Sequence, residues 1–189
     1  MTQPLVSPDP SLPAQALEPN FDARHFRRAL GQFATGVTII TTRTDEGEPI
    51  GFTANSFNSV SLEPPLVLWS QAKKSGTFAV FRGNTHYVIN VLASDQIELS
   101  RRFGSSAAAL DGERFTAAHW QDSARGVPVL IGCCAWFECF NRSRYEEGDH
   151  IIFVGEVERC GFSAREPLIF QGGSYHMTQP HPHSGQPSR

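Results

Sequence analysis

The chain has 189 residues, a length that suits one domain or two small ones. Hydrophobic residues make up 40% of the sequence and charged residues 19%, so a packed core can form and a wholly disordered chain is excluded. The formal net charge of -3 lacks the basic excess that binding to a phosphate backbone requires, and we expect no nucleic-acid partner.

The sequence also indicates a compartment. Its longest apolar run, residues 127–137, is too short to span a bilayer, and no apolar signal segment precedes the first basic residue, Arg24. Three of the four cysteines crowd into one apolar segment, which is typical of buried thiols in a reducing compartment. We therefore expect no membrane association and a cytoplasmic location.

The two ends differ from the middle. Residues 1–20 hold five prolines and residues 178–189 hold three, with little apolar surface to bury. Such segments cannot offset the entropy of ordering by burial. We therefore predict a flexible N-terminal segment (1–20), one domain over residues 21–177 and a flexible tail (178–189).

The domain is predicted to begin with a helix that Asp22 caps and that ends at Gly36. The apolar face of this helix consists of Phe26, Ala29, Leu30 and Phe33. The β-branched run at 37–42 (VTIITT) predicts a strand, residues 45–47 a turn, and a second strand begins near Ile50.

Short strands dominate the rest of the pattern. Strands are predicted at 66–70 and 87–92, with a brief helix between them and a longer helix from residues 94–95 onward. A hairpin pairs 135–141 with 151–158, and residues 168–170 close the domain. Because strands and helices do not alternate strictly, this order favours a mainly antiparallel barrel with peripheral helices.

Small and hydroxylic residues cluster where the second strand ends, at Thr53, Ala54, Asn55 and Ser56. Small residues let a backbone approach a flat ring or a phosphate closely. The hydroxyl and amide groups can donate to and accept from the polar edge of a heterocycle. An ordinary strand end has the same composition, so both interpretations stay open.

A short basic segment follows the strand at 66–70. Its polar residues are Ser70, Gln71, Lys73, Lys74, Ser75 and Thr77. Two ammonium groups, several hydroxyls and a helix N-terminus are suited to binding an anion. The alternative is a solvated basic turn, and the spacing is not that of a Walker loop.

His150 follows a Gly-Asp pair at the start of a strand. A lone histidine there is more often packed or exposed than catalytic. A zinc site built from His150 and nearby cysteines is rejected, because the adjacent Cys133 and Cys134 point to opposite faces of a strand. We therefore expect no bound metal.

Taken in order, these segments resemble the flavin-reductase-like, FMN-binding split-barrel family of short-chain NAD(P)H:flavin oxidoreductases. The matching segments are 26–38 (FRRALGQFATGVT), 51–57 (GFTANSF), 59–66 (SVSLEPPL), 90–92 (NVL), 148–150 (GDH), 155–157 (GEV) and 167–168 (PL). The resemblance covers roughly residues 21 to 177. It implies a mainly β, antiparallel split barrel of the Greek-key type with a few peripheral helices, assembled as a homodimer with flavin near the subunit interface.

The resemblance also implies site residues. Residues 53–56 contact the isoalloxazine ring and ribityl chain of FMN or FAD, residues 71–77 hold the phosphate, and Ser70 beside them is a further cofactor-binding residue. His150 is the catalytic residue that orients the carboxamide of NADH or NADPH. Phe103 and Tyr175 fall where family members contact flavin or pyridine nucleotide.

The implied activity is hydride transfer from nicotinamide to flavin N5, which requires no protein nucleophile. Reduced flavin would then reach a separate monooxygenase, the transient partner that the family often serves. Two alternatives stay open on the same fold: an oxidase with tightly bound FMN, and a non-catalytic flavin-binding protein.

Overall fold

The structure is a computed structural model that describes residues 18–105, 113–116 and 118–182. Most of the N-terminal segment predicted to be flexible, and residues 183–189 of the tail, lie outside the described residues. The predicted domain boundaries, 21–177, therefore stay a prediction.

Strands dominate the described residues, with four short helices. The helices are α1 (Ala23–Leu30), α2 (Phe78–Gly83), α3 (Ile97–Gly104) and α4 (Glu113–Thr116). The strands are β1 (Thr35–Gly36), β2 (Thr38–Arg43), β3 (Pro49–Ala54), β4 (Asn58–Leu62), β5 (Pro65–Ala72), β6 (His86–Val91), β7 (Trp120–Asp122), β8 (Pro128–Leu130), β9 (Ala135–Glu147), β10 (His150–Phe162), β11 (Ile169–Gln171) and β12 (Ser174–His176). No described helix has both the length and the apolar character needed to cross a membrane.

One seven-stranded sheet organises the molecule, in the order β3-β2-β6-β9-β10-β5-β4. The strand pairings within it are antiparallel. Smaller sheets, β1-β11-β12 and β7-β8, lie beside it. The predicted mainly antiparallel fold with a few peripheral helices is confirmed, and the sheet is open, with β3 and β4 at its two edges.

The longest hairpin joins β9 and β10, each of 13 residues, so both strands extend well beyond the predicted 135–141 and 151–158. Glu147 pairs with His150 across a two-residue turn, and Gly148 adopts a φ of 55° in that turn. A positive φ costs glycine little, which explains a glycine at this position. The hairpin places His150 at the first position of β10.

The core lies against this sheet and is rich in aromatic side chains. Trp69 stacks on Phe153 with ring centroids 4.1 Å apart, and both rings are fully buried. A second cluster of buried side chains, which includes Ile39, Leu92 and Phe103, lies where α3 covers β2 and β3. These two clusters fix the positions of β3, β5 and α3.

Helix α1 begins as predicted but ends earlier. The Asp22 carboxylate accepts a hydrogen bond from the His25 N–H at 2.7 Å, and the helix ends at Leu30 with Gly31 as its cap, short of the predicted Gly36. No residue of α1 is buried. The described residues therefore leave the apolar side of the helix uncovered, and Phe33 just beyond it is 76% exposed.

Gly155 of β10 lies where a side chain has no room. A Cβ at this position would lie 2.9 Å from Cys139 Cβ and closer still to the Tyr87 hydroxyl oxygen. Both neighbours are fully buried, so neither can move aside into solvent. The absence of a side chain at Gly155 therefore leaves room for the Tyr87 hydroxyl over β10.

We expect Gly155→Ala to lower the free energy of unfolding by about 1–3 kcal/mol, because the added methyl group overpacks the core. Urea denaturation measures this change. Gly36→Ala is the matched control, since a Cβ there meets no atom within 4 Å. Adding Tyr87→Phe to Gly155→Ala removes the hydroxyl oxygen that lies closest to the new methyl group, and we expect it to restore part of the lost stability. A double variant no more stable than Gly155→Ala alone would contradict this explanation.

Candidate functional site

Two adjoining clefts lie beside the end of β3. The first, of about 400 Å³, is formed by the end of β3, by α3 and by β12. Its lining includes Thr53, Ala54, Asn55, Ser100, Arg101 and Tyr175. The second, of about 610 Å³, includes Arg27, Leu30, Asn55, Ser56, Ser70 and Phe170. Because Asn55 and Phe170 line both, the clefts form one continuous depression of a size typical of ligand sites.

The edge position of β3 provides unpaired backbone groups at this depression. In an antiparallel pair, alternate residues point their N–H and C=O groups away from the partner strand. The Gly51 carbonyl points outward, since it accepts from Arg114 Nη1 at 3.2 Å, and the Ala54 carbonyl accepts from Thr38 on the β2 side at 2.7 Å. Thr53 lies two residues after Gly51 on the same strand, so its backbone groups point to the same side. Its N–H therefore faces the open edge next to the first cleft.

Hydrogen bonds fix several side chains of the depression in place. Thr53 Oγ1 donates to the Ser100 carbonyl at 2.7 Å, and Ser100 Oγ lies 2.9 Å from the Tyr175 hydroxyl. Ser56 Oγ donates to the Ser70 carbonyl and accepts from the Ser70 N–H, both at 3.0 Å. These bonds join β3, β5, α3 and β12 around one site.

Two of the predicted polar side chains in the depression, those of Asn55 and Ser70, remain available to a ligand. Within the described residues, neither the Asn55 amide nor the Ser70 hydroxyl forms a hydrogen bond, and Asn55 lines both clefts. The neighbouring Val37, Ala54 and Phe170 provide apolar surface. An apolar wall beside a few fixed polar groups suits a flat heterocycle with a polar edge, so the residues fit a flavin ring.

Most polar side chains of the basic segment predicted to bind phosphate already bond to other groups of the protein. The Gln71 amide donates to Ser75 Oγ at 3.0 Å and to Thr77 Oγ1 at 2.7 Å, and Gln71 and Thr77 are buried. Lys73 Nζ lies 3.2 Å from Glu146. Lys74 is exposed, and of the six predicted polar residues only Ser70 lines either cleft.

His150 lies beside this basic segment, because it pairs with Ala72 in the β10–β5 register. Its Nδ1 lies 2.7 Å from Asp149 Oδ1, and its side chain is about half exposed. The hydrogen bond from His150 lowers the pKa of Asp149, which keeps the carboxylate ionised and able to orient the ring. His150 lies two register positions from Ser70, and it does not line either cleft.

The two predicted aromatic contacts have different positions. Tyr175 lines the first cleft, and Arg101 Cζ lies 5.8 Å from the centre of its ring. Phe103 is 1% exposed and packs edge-on against Phe115 at 5.0 Å. The expectation that Phe103 contacts a ligand is therefore corrected, because its ring is enclosed in the core under α3.

Three of the four cysteine thiols are harder to ionise than a free thiol. Burial raises the pKa of Cys133 to about 12 and also raises the pKa values of Cys134 and Cys139, so these thiols stay protonated at neutral pH. In the described parts of the chain, no three His, Cys, Asp or Glu side chains come together as a possible metal site.

Sequence reasoning missed several residues of the depression. They are Ser100, Arg101, Phe170 and Arg27. The sequence patterns indicate only structural roles for their segments, and only folding brings them to the clefts that Asn55 lines. The arginines at positions 27 and 28 carried a possible signal, because two adjacent basic residues precede the glycine that ends α1.

The chain is similar in sequence to known proteins along most of its length. The model of the flavin reductase like domain matches residues 30–179. The FMN reductase (NADH) SmoA of Agrobacterium fabrum is 48% identical over 154 residues, which are 82% of this chain and 85% of that protein. The reductase subunit HsaB of a flavin-dependent monooxygenase of Rhodococcus jostii is 40% identical over 93% of this chain and 86% of its own length.

A solved structure extends the comparison to the fold. The NADH:FAD oxidoreductase SgcE6 of Streptomyces globisporus C-1027, in complex with NAD and FAD fragments, superposes with a TM-score of 0.78 at 34% identity. The alignment covers 91% of this chain and all of that one. Since the domain match covers most of the chain and the relatives match along most of their length, the chain belongs to the flavin reductase-like domain family.

Proposed function

We propose that this protein is an NADH-dependent flavin reductase that acts on FMN or FAD. The observation that carries the proposal is the depression beside β3, where apolar surface adjoins the unengaged Asn55 amide and Ser70 hydroxyl. Relatives named as an NADH-dependent FMN reductase and as an NADH:FAD oxidoreductase support it. A bound flavin would supply the hydride-accepting ring, with NADH as the hydride donor.

The chain's own residues bind and orient in this proposal. Asn55 and the backbone N–H of Thr53 donate to the polar edge of the ring, and the apolar wall excludes water from one of its faces. Tyr175 is held by Ser100 at the far side of the first cleft. His150, fixed by Asp149, donates to the nicotinamide carboxamide and positions the donor ring.

Steady-state NADH oxidation by the purified protein, with FMN, FAD and no flavin, tests the function. We expect turnover that rises with added free flavin and saturates, with NADPH as the comparison donor. Tightly bound flavin with no NADH turnover would instead support a flavin carrier. Turnover that is independent of added flavin would support an oxidase with resident FMN.

Variants of Asn55 and His150 should change different parameters. We expect Asn55→Ala to raise the flavin Kd by about tenfold, the cost of one lost hydrogen bond to a ligand, and to change the KM for NADH little. His150→Ala should raise the KM for NADH and leave the flavin Kd unchanged. Flavin fluorescence titration and initial rates measure the two; an equal loss of both in His150→Ala would assign that residue to the fold.

A transient monooxygenase partner completes the proposed role. HsaB is named as the reductase subunit of a flavin-dependent monooxygenase. This role requires that reduced flavin can leave the protein. The depression permits this because it is open to solvent along both clefts. The protein would act in the cytoplasm, where its four free cysteines would stay reduced.

A homodimer is the proposed assembly, and α1 is the proposed contact. Four large apolar side chains cluster on and around this helix, and the described residues of one chain leave them 47–76% exposed: Phe21, Phe26, Leu30 and Phe33. Clusters of exposed apolar side chains mark interaction sites. Because Leu30 and Phe33 also line the second cleft, the dimer contact would border the flavin site.

We expect the native protein to have the mass of two chains in solution, and Phe33→Glu to shift it toward one chain by placing a charge in the contact. Light scattering after gel filtration measures the mass. Phe162→Glu is the control, since Phe162 is 92% exposed at the end of β10. A dimer that resists Phe33→Glu would exclude this contact.

A further inference from the structure

Helix α1 carries a stripe of arginines on the side away from Phe26. Arg24 lies three residues before Arg27 and four before Arg28. These two in turn lie four and three residues before Gly31. Residues at these spacings share one face of a helix. We call this face the arginine stripe. All three arginines are exposed.

The charges of the arginine stripe are not neutralised by the described part of the chain. The ion pairs found there involve other basic residues, and none joins Arg24, Arg27 or Arg28 to a carboxylate. Helix α1 contains no acidic residue in its first turn. Three uncompensated guanidinium groups in a chain with a net charge of -3 make a local cationic site on an acidic protein.

The arginine stripe forms one wall of a cavity of about 370 Å³. The opposite wall is the turn between β11 and β12, where Gly172 and Gly173 both have positive φ and present no side chain. The Gly172 N–H donates to the Gly31 carbonyl at 2.9 Å and so ties this turn to the end of α1. The cavity is therefore a fixed feature between a cationic wall and a bare backbone wall.

This cavity adjoins the proposed flavin site. Arg27, Gly31 and the Gly172–Gly173 turn line both the cavity and the second cleft. The second cleft in turn shares Asn55 with the first. One extended molecule can therefore place a ring beside Asn55 and its anionic part on the arginine stripe.

We propose that the arginine stripe binds the pyrophosphate of a dinucleotide whose ring occupies the adjoining clefts. This inference rests on the proposed function and assigns it a binding subsite. Guanidinium groups bind phosphate oxygens through paired N–H donors, and three of them on one helix face match a pyrophosphate better than a single phosphate. Residues 71–77, assigned to the flavin phosphate, do not line this cavity.

Two substrates, NADH and FAD, contain a pyrophosphate. Comparing the KM of each with that of its mononucleotide counterpart shows which of them binds the arginine stripe. The test variant is Arg24→Gln with Arg28→Gln, which spares Arg27 in the second cleft. The control is Arg125→Gln with Arg142→Gln, which removes the same charge from exposed ion pairs with Glu158 and Glu156. Melting temperatures check that both proteins fold.

We expect the test variant to raise the KM of a dinucleotide by tenfold or more relative to wild type. With FMN as acceptor, the KM for NADH is compared with that for reduced nicotinamide mononucleotide; with NADH as donor, FAD is compared with FMN. A rise confined to NADH, or confined to FAD, identifies the substrate that uses the stripe. Unchanged KM values for both dinucleotides, equal rises for the mononucleotides, or the same rise in the control would each overturn the inference.

A binding measurement separates this inference from the proposed function. ADP-ribose carries the pyrophosphate without a nicotinamide or flavin ring, so its Kd, measured by calorimetry, does not depend on turnover. We expect ADP-ribose to bind the wild type and to bind the test variant at least tenfold more weakly. If the wild type reduces flavin but ADP-ribose binds both proteins equally or neither, the subsite is wrong and the function stands; if it reduces no flavin yet ADP-ribose binding depends on the stripe, the function is wrong and the subsite stands.

Discussion

The unpaired edge of β3 is the constraint on which the site depends. A closed barrel would pair this strand on both sides and use up its outward backbone groups, whereas the open sheet leaves them available. Exposed edges invite aggregation, and proteins commonly cover them. Here α3 covers part of the edge, with the Phe103 ring packed against Gly51 and Thr53 bonded to Ser100. What remains open at the end of the strand is the depression that is proposed to bind flavin.

The site is composite because this edge needs cover from distant parts of the chain. Helix α3 and the β11–β12 hairpin are far apart in sequence, yet Ser100 and Tyr175 meet through their hydroxyl groups at 2.9 Å. Ser56 ties the segment after β3 to β5 in the same way. Since these bonds use side chains that also line the depression, the interactions that hold the fold together there also shape the site.

Local patterns predicted the fold well where they are strong. The β-branched run at 37–42 became β2 with a shift of one residue, and the Asp22 cap is present. Strand β4 (NSVSL) was missed although its polar and apolar residues alternate; the strand is short and mostly exposed, and its pairing with β5 defines it. The cluster at 53–56 was found because its composition is local. Ser100 and Phe170 were not, because only tertiary packing brings them to that cluster.

In the proposed homodimer, helix α1 would tie ligand binding to assembly. A helix of eight residues that buries no side chain is marginal by itself in water, even with a good cap. It is anchored mainly at its end, through the contact between Gly31 and Gly172. Whatever covers its apolar side orders the helix, and with it the arginine stripe and one wall of the second cleft. If a second chain covers the helix as proposed, thermodynamic linkage requires the reverse as well: a ligand held by that wall would strengthen the association.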